Sequence, residues 1–63
     1  MKTEAELKIA YSKRLKAIRL ERKISIAQMC EKTGIRKRRY LKIEAGQTLP
    51  SILELYTIAV YLQ

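Results

Sequence analysis

The spacing of apolar residues along this chain is helical. Apolar positions recur at intervals of three or four residues, as one buried face of a helix requires. They include Leu7, Tyr11, Leu15 and Ile18, and then Ile26, Met29, Cys30 and Thr33. No segment alternates apolar and polar residues as a strand would. The pattern predicts an all-α fold, a compact four-helix domain with helices over residues 4–22, 26–33, 36–45 and 52–62.

Start and stop signals mark the same helices. Three pairs fit a capping box, in which a serine or threonine and a glutamate or glutamine three residues later bond each other's backbone amides. The pairs are Thr3 with Glu6, Ser25 with Gln28, and Ser51 with Glu54. Gly34 can take the left-handed conformation that ends a helix, and Pro50 forces Leu49 away from helical angles. We therefore expect a tight turn at Thr33-Gly34 and a loop over residues 47–50.

The third and fourth predicted helices each have a side suited to the core and a second side with residues that the core does not need. In the third helix, Tyr40, Ile43 and Glu44 share one side, opposite Lys37, Arg38, Leu41, Lys42 and Ala45. In the fourth, the predicted core side consists of Ile52, Leu55, Tyr56, Ala59 and Leu62. Leu53, Val60 and Tyr61 exceed the needs of one core face. We expect these three residues to form the interface of a homodimer.

The chain is strongly basic, with a net charge of +8 and 63 residues in all. Such a balance in a small domain favours a polyanionic partner, either nucleic acid or an anionic membrane surface. Residues 36–42 contain five cations and no anion. A solvated charge run is the simpler interpretation of a basic face, but such a face usually interleaves both signs. No apolar run reaches the roughly 18 residues of a membrane span, so we expect a soluble, cytoplasmic protein.

Few residues of this chain are suited to catalysis. It has no histidine and only one cysteine, so neither an internal disulfide nor a metal cluster is expected. Cys30 lies on an apolar helical face, where a small core residue is a better interpretation than a nucleophile. We expect no enzymatic activity and no cofactor.

Several short motifs make the chain resemble the Cro/repressor-type (XRE) helix-turn-helix family. They are Arg14-Leu15, Ile18-Arg19, Ile24-Ser25, Gly34-Ile35, Ile43-Glu44-Ala45-Gly46 and Pro50-Ser51-Ile52. They keep the family's spacing from Tyr11 to Leu62. The resemblance implies that residues 25–46 form a helix-turn-helix whose second helix, 36–45, enters the DNA major groove. Where the family commonly has glycine before Ile24, this chain has Lys23, and we expect a differently built turn.

The resemblance also implies which side chains contact DNA. The base-reading positions fall on Lys37, Arg38 and Lys42, and cations of this kind suit the adjacent acceptors of guanine. Leu41 could touch a thymine methyl or could pack. The phosphate-contacting positions fall on Ser25, Gln28, Arg36, Arg39, Gln47 and Thr48. Two positions depart from the family: Ile26 replaces a common glutamine, and Arg36 a common serine or threonine.

Arg19 and Glu44 occupy the positions that pair in the family between the first helix and the recognition helix, although both could be ordinary surface charges. The expected function is sequence-specific binding of double-stranded DNA by a transcriptional repressor, in a prokaryotic, phage or plasmid setting. The alternative is a protein-interaction module, such as an antitoxin-like partner binder. A membrane-surface role ranks third, because no single helix combines the basic and apolar faces.

Overall fold

Four helices and their connections make up the structure, a computed structural model that describes residues 1–63. The helices are α1 (Glu4–Glu21), α2 (Ile26–Thr33), α3 (Lys37–Glu44) and α4 (Ile52–Leu62). The bounds of α2 and α4 coincide with the predicted ones, and α1 ends one residue earlier. Helix α3 is one residue shorter at each end, because Arg36 and Ala45 are its caps.

Local hydrogen bonds explain where the helices begin. All three predicted capping boxes are present, with both reciprocal bonds formed at Thr3, Ser25 and Ser51. Each box satisfies two backbone amides that a helix otherwise leaves without a partner. Helix α3 has no such box, since the side chain of its N-cap residue Arg36 makes no capping bond. The Arg36 guanidinium is therefore not used by the helix.

Left-handed residues end the first three helices. Gly34 has φ 76° and Gly46 has φ 78°. A Cβ atom on Gly46 would lie 3.1 Å from Ser12 Oγ, so the loop after α3 approaches α1 closely. Lys23 takes φ 57°, and the expectation of a differently built turn there is wrong. The turn keeps the left-handed geometry that glycine adopts freely, with a lysine in its place.

The core lies where α3 packs against α1 and α2, and where α2 packs against α4. Seven apolar residues with at most 9% exposure form it: Leu15, Met29, Ile35, Tyr40, Ile43, Ile58 and Leu62. Tyr11, Ile18, Ile24, Ile26, Cys30 and Tyr61 pack around them, partly buried. Cys30 is thus a partly buried residue at the edge of the core. The predicted packed face of α3 is confirmed, because Tyr40 and Ile43 are fully buried.

The side of helix α4 that faces the core coincides with the predicted one only at Leu62. Ile58 and Leu62 are buried and Tyr61 is partly buried, whereas Ile52, Leu55, Tyr56 and Ala59 are exposed. Because nearly every residue of α4 is apolar, several helical faces satisfy the apolar spacing equally well. Tyr61 therefore belongs to the edge of the core. Leu53 and Val60 do remain exposed, at 72% and 49%.

The beginning of α1 also differs from the expectation. Leu7, predicted to lie on the core side, is 46% exposed. The buried positions of α1 are Ser12, Leu15 and Arg19, so two polar side chains occupy the face where apolar ones were expected. The Ser12 hydroxyl donates to the Ile9 carbonyl at 2.8 Å, which removes the cost of burying it without a partner.

Candidate nucleic-acid interface

The outer face of α3 is cationic and accessible. Lys37, Arg38 and Lys42 are exposed, on the side of the helix opposite the fully buried Tyr40 and Ile43. Leu41 is 41% exposed on the same outer side. The three cations therefore project from a helix whose other side is fixed in the core, and packing against the protein does not use them.

A concave cationic surface lies along one flank of α3. Its lining consists of Arg36, Arg38, Arg39 and Lys42, around a cavity of about 240 Å³. No anionic side chain lines it. Like charges held this close together in water create a positive potential that attracts anions. This surface collects four of the five cations of residues 36–42, all but Lys37.

The start of α2 lies at the other end of the helix-turn-helix. Ser25 and Gln28 are exposed, but each already serves the capping box. Ser25 Oγ accepts from the Gln28 amide at 3.0 Å, and Gln28 Oε1 accepts from the Ser25 amide at 2.8 Å. What remains available is the Ser25 hydroxyl hydrogen and the amide group of the Gln28 side chain, both donors suited to a phosphate.

The loop after α3 holds Gln47 and Thr48. The Gln47 amide donates to the Lys42 carbonyl at 3.0 Å, and the Gly46 amide to the Ile43 carbonyl at 3.2 Å, as in a Schellman motif. The Gln47 side chain is exposed. Thr48 is half-buried, and its hydroxyl donates to the Leu49 carbonyl. Gln47 is therefore freer to meet a ligand than Thr48.

Arg39, which the sequence predicts as a phosphate contact, is already paired within the protein. Its Nε lies 3.0 Å from Glu54 Oε2 and its Nη2 lies 2.8 Å from Glu54 Oε1. Nη2 also donates to the Leu49 carbonyl at 3.2 Å, and Nη1 to Thr48 Oγ1 at 3.4 Å. The guanidinium thus joins α3 to the following loop and to the start of α4.

Sequence reasoning missed the second role of Glu54. The Ser51 amide donates to its carboxylate at 2.7 Å within the capping box, and the same carboxylate receives Arg39. The hydrogen bond from Arg39, followed by the one from Ser51, lowers the pKa of Glu54 from its ordinary 4.5 to about 2. Only the tertiary approach of α4 to α3 shows the pair, since the two residues are 15 positions apart.

Arg19 and Glu44 form a second, more buried pair that fixes α3 on α1. Arg19 Nη2 lies 2.7 Å from Glu44 Oε1, and the two side chains are only 9% and 8% exposed. Arg19 Nη1 also donates to the Ile24 carbonyl at 2.9 Å, so one guanidinium joins α1, the turn before α2, and α3. Burial opposes ionisation of Glu44, but the hydrogen bonds from Arg19 hold the pKa of its carboxyl below the ordinary value.

Three further features of the structure concern binding to membranes, to metal ions and to other proteins. None of the four helices combines the length and apolar character needed to cross a lipid bilayer. No three His, Cys, Asp or Glu side chains come close enough together to hold a metal ion. Exposed apolar residues concentrate on α4: Ile52, Leu53, Leu55, Tyr56 and Val60.

One of three comparisons with known proteins gave a match, and it agrees with this architecture. A family model described as a helix-turn-helix domain matches residues 12–63. The match spans most of α1, all of α2, α3 and α4, and every side chain described above as part of the cationic face. Neither the search of curated proteins nor that of solved structures gave a match.

Proposed function

The chain belongs to this helix-turn-helix family, one of XRE-type domains, and we propose that it is a sequence-specific DNA-binding repressor that inserts α3 into the major groove. Membership of the family points to DNA-binding transcription regulation in general. The proposal adds that α3 enters the major groove, that named side chains read bases, and that binding represses transcription. It involves no catalytic step and no cofactor.

The observation that supports the proposal is the two-sided character of α3. Tyr40 and Ile43 are fully buried, while Lys37, Arg38 and Lys42 are exposed. A helix of this kind fits the major groove, where the residues near its start reach base edges. Arginine and lysine favour guanine, whose O6 and N7 accept side by side. We therefore propose that these three side chains read a half-site that contains guanine.

Phosphate contacts would hold this helix in register without reading sequence. We assign them to Arg36, whose side chain makes no capping bond, and to the free donors of Ser25 and Gln28. Gln47 and Thr48 would add contacts from the loop after α3. Arg39 is left out of this set, because Glu54 neutralises it in the fold.

A symmetric dimer would let two copies of α3 read a palindromic site. The recognition helices would then lie about 34 Å apart, one turn of the DNA duplex. The exposed Leu53 and Val60 on α4 support this part of the proposal. A DNA-binding repressor of this kind acts in the cytoplasm, and the XRE-type family suggests a prokaryotic, phage or plasmid setting.

Selection of bound duplexes from a random DNA pool, followed by sequencing, tests the function. We expect an enriched half-site that contains guanine, repeated in inverted orientation, and binding to it that falls steeply with salt. A protein-interaction module would instead retain DNA weakly and enrich no sequence. That result would favour a module of the antitoxin-like kind, with the basic face of α3 docked on an acidic protein.

A further inference from the structure

Arg39 lies on the cationic surface but has almost no donor left for DNA. A guanidinium has five N–H groups. Glu54 accepts from Nε and Nη2, the Leu49 carbonyl from Nη2, and Thr48 from Nη1. One N–H of Nη1 remains. The Arg39 side chain is 39% exposed, so solvent reaches a cation whose hydrogen bonds are directed inward.

The charge of Arg39 is cancelled as well. Glu54 is ionised at neutral pH, and the hydrogen bond from Arg39, followed by the one from Ser51, lowers its pKa further, to about 2. The pair therefore has no net charge, although the sequence alone shows a cation at this position between Arg38 and Lys42. Its side chains are 39% and 20% exposed, so the pair stands close to solvent and to whatever binds this surface.

We propose that Glu54 is a specificity-determining residue, which withholds the Arg39 cation from DNA phosphates and so limits sequence-independent binding. The inference rests on the proposed function. Phosphate contacts strengthen binding to every sequence. A freed Arg39 would add most to complexes on random DNA, in which no base contact fixes the orientation of the protein. It would add less on the preferred site, where the loop that Arg39 holds through Leu49 and Thr48 would also loosen.

Glu54→Gln removes the charge while keeping the start of α4. Glutamine is accepted at this position of a capping box, and Ser25 with Gln28 forms such a box in this same chain. Glu6→Gln is the matched control. It makes the same change in the capping box of α1, at a residue that is exposed and has no ion-pair partner. Both variants gain one unit of net charge, so a difference between them reports the location.

The test measures binding of wild type, Glu54→Gln and Glu6→Gln to the selected duplex and to a scrambled one across a salt series. For Glu54→Gln on the scrambled duplex, we expect the slope of log affinity against log salt to steepen by about one. The ratio of the variant's affinity to that of wild type should then be about eightfold larger at 0.1 M salt than at 1 M salt. The gain on the selected duplex should be smaller. Equal behaviour of the two variants, or an unchanged ratio between the duplexes, would overturn the proposal.

The double variant Arg39→Gln with Glu54→Gln gives an independent test. Removal of both charges should restore the wild-type slope, because the native pair contributes none. A slope lower than wild type by about one would mean that Arg39 already binds phosphate in the native protein, and the inference would be wrong. A wild-type protein without sequence preference would contradict the proposed function instead. The slopes on the scrambled duplex would still test whether Glu54 restrains Arg39.

Discussion

Arg19 and Glu44 show how single side chains fix the geometry of this domain. Their contacts span α1, the Ile24 carbonyl and the last residue of α3. Tyr40 is buried next to them, and its hydroxyl makes no hydrogen bond; burial, followed by the nearby Glu44, raises the pKa of this phenol. The angle at which α3 leaves the core thus depends on a few buried polar groups.

Removal of the Glu44 carboxylate should destabilise the fold strongly. Glu44→Ala leaves Arg19 as a buried cation with no carboxylate, which costs about 3 to 5 kcal/mol. Glu21→Ala is the control, since Glu21 also ends a helix but is exposed and has no ion-pair partner. Glu54→Ala is not a suitable control, because Glu54 has a partner of its own. Thermal unfolding should separate the variants, and similar midpoints would contradict a stabilising pair.

Substitutions of Arg38 and Arg36 should affect DNA binding differently, because we expect Arg38 to read bases and Arg36 to contact phosphates. Arg38→Ala should cost about 1 to 3 kcal/mol on the selected duplex and much less on a scrambled one, because its guanidinium suits two guanine acceptors. Arg36→Ala should weaken binding to both duplexes alike and lower the salt slope by about one. Binding titrations across a salt series measure both effects. If Arg38→Ala loses the same affinity on both duplexes, Arg38 does not read bases.

Recognisable sequence motifs cap most of the helix ends. The exceptions are the start of α3, where Arg36 makes no capping bond, and the end of α1. There the Ile24 amide donates to the Arg19 carbonyl and the Lys23 amide to the Leu20 carbonyl, both at 3.0 Å. These are the two bonds of a Schellman motif, which usually has glycine at its left-handed position. The connection between α1 and α2 therefore contains a strained lysine.

Lys23→Gly should stabilise the protein by about 0.5 to 1 kcal/mol. The left-handed conformation costs a residue with a side chain roughly 1 to 2 kcal/mol, and the greater freedom of glycine in the unfolded chain cancels part of the gain. Arg22→Gly is the control, because Arg22 has φ −87° and gains nothing from glycine. Denaturant unfolding would measure both, and a loss of stability in Lys23→Gly would refute the account.

The link between α3 and α4 should respond to acid. The pKa of Glu54 is lower in the fold than its ordinary value, so the stabilisation by its charge is present above about pH 4.5 and is lost as the pH falls towards 2. The difference in thermal midpoint between wild type and Glu54→Gln should therefore shrink between pH 5 and pH 2. A difference that stays constant over this range would show that the pair adds no stability.

At the scale of the whole molecule, the cationic and apolar surfaces lie on different helices. The exposed cations Lys37, Arg38 and Lys42 belong to α3 and Arg36 is its N-cap, whereas the exposed apolar residues are concentrated on α4. Val60 lies away from the cationic surface, whereas Leu53 shares a cleft with Arg36 and Arg39. The net charge of +8 on each chain opposes association in solution, and binding to DNA would offset this repulsion.

Val60→Glu should shift sedimentation towards monomer and weaken binding to a palindromic site. Val60 is 49% exposed on α4, so the new charge would be tolerated in the monomer but would lose its water in an interface. Leu20→Glu is the control, at a similarly exposed apolar residue of α1. A wild-type protein that stays monomeric even on DNA would contradict the dimer.

The sequence by itself determined the four helices, the starts of α1, α2 and α4, and the cationic face of α3. Capping boxes, Gly34 and Pro50 act over three or four residues, and the apolar positions of α3 permit only one buried side. The buried face of α4 was decided by tertiary structure, because an almost wholly apolar helix does not distinguish one side from another. Tertiary structure also paired Arg39 with Glu54. The local sequence around Arg39 is a run of cations, and its carboxylate partner comes within hydrogen-bonding distance only when α4 packs beside α3.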